Sequence, residues 1–128
     1  MNRHDILNNT HTTVIELINF IKTDIITDPN IQDDLEFIRN FFHIMVKRDL
    51  MNHLLNKVLP HENKIKSRHT DFFTSSKNRH IFSVIPEEKY AYFSETIKKG
   101  KVSQEDIGVI FDYFDTLVEL CKIFKELD

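Results

Sequence analysis

"SQEDIGVIFDYFDTLVELCKIF", residues 103–124, decides the fold. Ile107, Ile110, Phe111, Phe114, Leu117, Val118, Cys121 and Phe124 recur at steps of three and four, which places them along one face of a helix. Ser103 can cap the first free N–H groups, and Asp106, three residues on, completes the pattern of a capping box. Such a helix must bury its stripe, and the rest of the chain supplies partners of the same kind.

Immediately upstream, "IPEEKYAYFSETIKKG", residues 85–100, carries its own punctuation. Pro86 suits a first helical turn, Glu87 and Glu88 complement the positive end of the helix dipole, and Lys98 and Lys99 complement the negative end. Gly100 suits the C-terminal cap. Toward the N-terminus, Val14, Leu17, Ile18, Ile21 and Ile25 predict a helix over Thr10–Ile26, capped by Thr12 or Thr13 and ended by Asp28, Pro29 and Asn30. Ile31, Leu35, Ile38, Phe42, Met45, Val46, Leu50, Leu54 and Val58 then predict one helix from about Ile31 to Val58, roughly 40 Å long.

Pro60 halts that helix. The stretch about 59–85 lacks a sustained period and is rich in Ser, Thr, Asp and Asn, so it predicts a loop or short irregular helices. The expected architecture is all-α: a small bundle of about four amphipathic helices forming one domain over residues 1–128, with a long ordered crossover between the second and third.

Composition agrees with that class. Eleven Phe with only two Gly and no Trp favour large helix-compatible core residues over a turn-rich β fold. The lone Cys121 falls on an apolar stripe and cannot form an intrachain disulfide, and no secretory leader pattern opens the chain, so an intracellular protein is expected. Charges interrupt every apolar run before membrane-spanning length. Net charge is −3, unevenly placed: residues 64–80 hold Lys64, Lys66, Arg68, Lys77 and Arg79 against Asp71 alone.

Chemistry-bearing patterns are few. No phosphate-binding Gly loop, nucleophile elbow or zinc-binding cysteine pair occurs, and no cofactor is implied. Of the seven histidines only His53 stands at metal-ligand spacing from a carboxylate, Asp49, and one pair does not make a metal site. "RDLMNH", residues 48–53, resembles the motif of the HEPN helical-bundle ribonucleases, with Asp49 where that family most often has Asn. The resemblance implies a metal-independent ribonuclease in which Arg48 positions phosphate and His53 handles the protons of an attacking 2′-hydroxyl.

A second resemblance spans about half the chain. Leu59-Pro60, Ile65, Asp71-Phe72-Phe73, Ile81-Phe82, Tyr92-Phe93, Ser103 to Asp106 and "IFDYFDTLVELCKIF" resemble a recurrent segment of uncharacterised helical proteins of large nucleocytoplasmic DNA viruses. It implies a viral protein of unassigned function, placed in host cytoplasm or virion, and carries no mechanism.

These readings rank a non-enzymatic interaction or assembly protein first. In it the crossover presents Lys64, Lys66, Arg68, His69, Lys77, Arg79 and His80 to a protein partner, with its aromatic residues beside them. Phe37, Phe41, Met51, Leu55, Tyr90 and Tyr113 lie off the main stripes and offer a homodimer face. The ribonuclease comes second. Nucleic-acid binding, with Phe72, Phe73 or Phe82 stacking on bases, comes third, because an acidic remainder and a pI near 6.1 oppose it.

Overall fold

The computed structural model describes residues 2–26, 28–83, 85 and 87–127, in which every regular element is helical. Pro86, expected in a first helical turn, lies outside them. In chain order the α-helices are α1 (Arg3–Phe20), α2 (Pro29–Ile44), α3 (Lys47–Lys57), α4 (Glu62–Lys66), α5 (Asp71–Thr74), α6 (Glu87–Lys98) and α7 (Gln104–Glu126). Three-residue-per-turn helix fills Leu59–His61 and Ser76–Phe82.

α1 begins earlier than its apolar pattern predicts. Asn2 Oδ1 accepts from the Asp5 N–H at 2.9 Å and the Asn2 N–H donates to Asp5 Oδ2 at 3.2 Å, a reciprocal box that starts the helix well ahead of Thr10. Thr10 is interior and buried, its hydroxyl turned back onto the Ile6 carbonyl at 2.8 Å. At its far end the helix widens over Ile21–Ile25, where the Ile26 N–H reaches the Ile21 carbonyl at 2.8 Å, and then stops in extended geometry at Ile26.

The single helix expected over Ile31–Val58 is two helices. Pro29 opens α2, and the chain breaks at Met45–Val46, where Val46 leaves helical geometry at φ −59°, ψ 126°. Apolar residues continue through the break, so periodicity alone does not mark it. What holds the break is a side chain from elsewhere: His11 of α1 places Nε2 at 3.1 Å from the Phe42 carbonyl and 3.0 Å from the His43 carbonyl. Both oxygens lie in the last turn of α2, where the Phe42 carbonyl also takes the Met45 N–H at 3.3 Å. Val46, expected in the stripe, is 62 % exposed.

The end of α6 and the start of α7 fall where their sequences mark them. α6 closes with the Gly100 N–H on the Ile97 carbonyl at 3.0 Å and the Lys101 N–H on the Thr96 carbonyl at 3.1 Å, with Gly100 at φ +68°. α7 starts where the Ser103 hydroxyl accepts the Asp106 N–H at 3.0 Å. Its whole predicted stripe, Ile107 to Phe124, is buried.

α7 packs on α1, α3 and α4, α1 carries α2 and α3, and α6 leans on α5. One cluster of buried apolar residues draws on all of them. Segment 59–85 is part of this core. Phe72 and Phe73 are fully buried, with ring centroids 5.3 Å from Phe114 and 4.9 Å from Phe111, while Phe82 stacks on Tyr90 at 5.4 Å. Met51 and Tyr90, offered above as part of a homodimer face, are also core, and Leu55 and Tyr113 are half-buried. The Tyr90 hydroxyl donates to the Phe73 carbonyl at 2.5 Å, which ties α6 to α5.

Candidate functional site

Several basic residues of the 59–85 segment are ion-paired within the chain. α7 presents Asp112, Asp115, Glu119 and Lys122 at steps of three and four, and the residues of α4 and its exit interleave with them. Glu62 meets Lys122 at 3.0 Å, Lys66 meets Glu119 at 2.9 Å and Asp115 at 3.4 Å, and Arg68 meets Asp115 at 2.9 Å and Asp112 at 2.7 Å. The alternating zipper holds the Lys66 ammonium above its ordinary pKa, chiefly through the hydrogen bond to Glu119. It holds the Glu119 carboxyl below its own range for the reciprocal reason.

Arg68 has a second structural duty. It takes a left-handed conformation, φ +59°, directly after α4. Its N–H reaches the Ile65 carbonyl at 3.1 Å and the His69 N–H reaches the Lys64 carbonyl at 3.0 Å, the same bond pair that Gly100 makes after α6. Glycine normally fills such a position, so the Arg side chain must offset the backbone cost. It does so with two carboxylates and by lying over the Phe111 ring at 5.6 Å.

The other basic positions divide. Lys64 pairs with Asp71 at 3.1 Å, and His69 lies near the same carboxylate at 4.0 Å. Arg79 turns inward, donating at 2.7 Å to each of the Phe82 and Ile85 carbonyls with its guanidinium over Tyr90 at 4.7 Å. Lys77 and His80 remain on the surface. The aromatic half of the segment is packed inside, so Phe72 and Phe73 have no face left for a base.

Arg48 and His53 share α3 and serve different neighbours. The Arg48 guanidinium covers the Phe124 ring at 4.8 Å and its Nε donates to Asn52 at 3.3 Å. His53 Nε2 lies 2.9 Å from the Ile81 carbonyl, which can only accept, so that nitrogen carries the proton. Among the described residues no group of three or more His, Cys, Asp or Glu could hold a metal ion, and no helix is long and apolar enough to cross a membrane. Cys121 is fully buried, and desolvation pushes its thiol up to about 12.

Two further features stand out, and the sequence marks part of the first through Phe37 and Phe41. The first is an exposed apolar ridge on α2: Phe37 is 67 % exposed, Phe41 40 % and Ile44 80 %, at spacings that share one helix face, with exposed Val46 beyond them. The second is a partly open cavity of about 140 Å³ behind the opposite face of α2, walled by residues of α1, α2, α3, α6 and α7. Lys89 of α6 stands at its edge, ion-paired with Asp34 of α2 at 2.9 Å. Comparison with family models, with curated proteins and with solved structures finds no match for this chain.

Proposed function

We propose that the protein is a non-enzymatic assembly protein in which the α2 ridge of one copy pairs with the α2 ridge of a second. The observation that carries this reading is the contiguous exposure of Phe37, Phe41 and Ile44, large side chains that cost free energy in water and are aligned on one helix face. The ridge is self-complementary. Asp33 stands exposed one turn before Phe37, and Lys47, at the start of α3, stands exposed just after Ile44. An antiparallel two-fold arrangement centred between Asn40 and Phe41 sets Phe37 opposite the second copy's Ile44 and Asp33 opposite its basic end.

A helical, self-associating protein also suits the resemblance to helical proteins of large nucleocytoplasmic DNA viruses. In this reading the 59–85 crossover is an ordered buttress, and the basic groups it still offers to a protein partner are Lys77, His69 and His80.

Sedimentation velocity from low to high micromolar concentration tests the proposal. A monomer–dimer equilibrium is expected, weakened by Phe37→Glu and by Ile44→Glu. Asp33→Lys should weaken it alone and recover on combination with Lys47→Glu. A strict monomer at every concentration would sink the proposal.

A further inference from the structure

We infer that the cavity between α2 and α6 is a binding site for a small apolar molecule, of the size of one aromatic ring or a short alkyl chain. Its walls are almost wholly hydrocarbon: Leu35 and Ile38 from α2, Leu54 from α3, Phe93 from α6, Ile110 and Phe114 from α7. The two hydrogen-bonding side chains that reach the lining away from the mouth are committed to main-chain carbonyls, Tyr90 to Phe73 and His53 to Ile81. A water molecule there would find few partners, whereas apolar cavities of about 150 Å³ stay dry and admit benzene.

The architecture explains why the space persists. α2 packs chiefly on α1, and α6 chiefly on α5, so these helices flank the cavity without closing on each other. The Lys89–Asp34 ion pair spans the interval between them, and the Lys89 side chain, 24 % exposed, marks the polar rim. A ligand therefore enters past a charged mouth into a dry interior, which selects for molecules without charge on the buried part. The site is separate from the ridge, since Leu35, Ile38 and Phe42 line the cavity while Phe37, Phe41 and Ile44 face outward on the same helix.

The test uses toluene and, as its charged counterpart, benzoate, added to the full chain labelled at Leu and Ile methyl groups. Toluene should shift the methyl resonances of Leu35, Leu54 and Ile110 saturably and raise the melting temperature, while benzoate should do neither. Leu54→Trp should fill the space and abolish the toluene response. Leu35→Phe, a smaller change from the opposite wall, should weaken it if the tryptophan variant fails to fold. Absence of saturable shifts in folded wild type, an equal response to benzoate, or an undiminished response in a folded filling variant would each overturn the inference.

Discussion

His11 and Phe42 join α1 to the last turn of α2: the imidazole Nε2 of His11 sits 3.1 Å from the Phe42 main-chain oxygen. With the His43 carbonyl at 3.0 Å, one side chain serves the helix end at which the chain turns into α3. His11→Ala should therefore loosen the α2–α3 junction at a cost of about 1 kcal/mol, the usual value of a hydrogen bond of this kind. Urea unfolding measures the loss, and amide exchange should rise first around residues 43–47. Unchanged stability and exchange would mean that the break is held by packing alone.

Arg68 permits a separation of backbone from side chain. Arg68→Ala removes the bonds to Asp112 and Asp115 but keeps a Cβ in the left-handed region, whereas Arg68→Gly removes the same bonds and relieves the backbone. The glycine variant should be the more stable of the two by about 1 kcal/mol. Both should fall below wild type only modestly, because the ion pairs are half-exposed. Equal denaturation midpoints for the two variants would remove the strain argument.

The same residue shows how much the sequence could say. The helix class, the end of α6, the start of α7 and the α7 stripe followed from local signals that the structure uses as written: Ser103, Gly100 and a strict period. The α2–α3 break did not, because Met45 and Val46 are apolar and the residue that stabilises the junction, His11, is more than thirty positions away. The basic stretch looked like a surface field because its partners, Asp112, Asp115 and Glu119, belong to a different helix. Their spacing on α7 was the available signal. A packing cavity leaves no mark in periodicity, which reports which face is inward and not how well that face is filled.

Side chains of the 59–85 segment should differ sharply in their weight on stability. Lys77→Ala should stay within about 0.5 kcal/mol of wild type, as expected for a solvated side chain. Arg79→Ala should cost more, about 1–3 kcal/mol, because the Phe82 and Ile85 carbonyls lose a charged donor. Phe73→Ala, which empties a fully buried ring site, should cost about 3–5 kcal/mol. If Arg79→Ala proved as mild as Lys77→Ala, the inward-turned guanidinium would have no structural weight.

His61 gives the fold a pH dependence. Burial, with Lys64 and His80 nearby, lowers its pKa below the ordinary imidazole value. A lowered folded-state value means that the unfolded chain binds the proton more readily. His61 thus contributes stability above the unfolded pKa near 6.5 and loses it as pH falls through the folded value. Stability should decline between neutral and mildly acidic pH, and His61→Gln should flatten that part of the profile. An unchanged slope in the variant would assign the acid limb to other groups.

Arg48 and His53 decide between an assembly protein and a ribonuclease. Five residues along a regular helix turn through about 500°, which leaves the two side chains about 140° apart around the axis, and α3 is continuous through both. Each already has an occupation, Arg48 over Phe124 and His53 on the Ile81 carbonyl. A ribonuclease needs the guanidinium free to reach a phosphate oxygen and an imidazole able to exchange its proton with substrate. Incubation with single-stranded and structured RNA should give no cleavage at concentrations where the protein is monomeric or self-associated, a comparison that covers a site completed by a second copy. His53→Ala should lower stability by about 1 kcal/mol through the lost carbonyl bond and change nothing else. Cleavage by wild type that disappears in a correctly folded His53→Ala protein would overturn the assembly reading and make RNA the substrate.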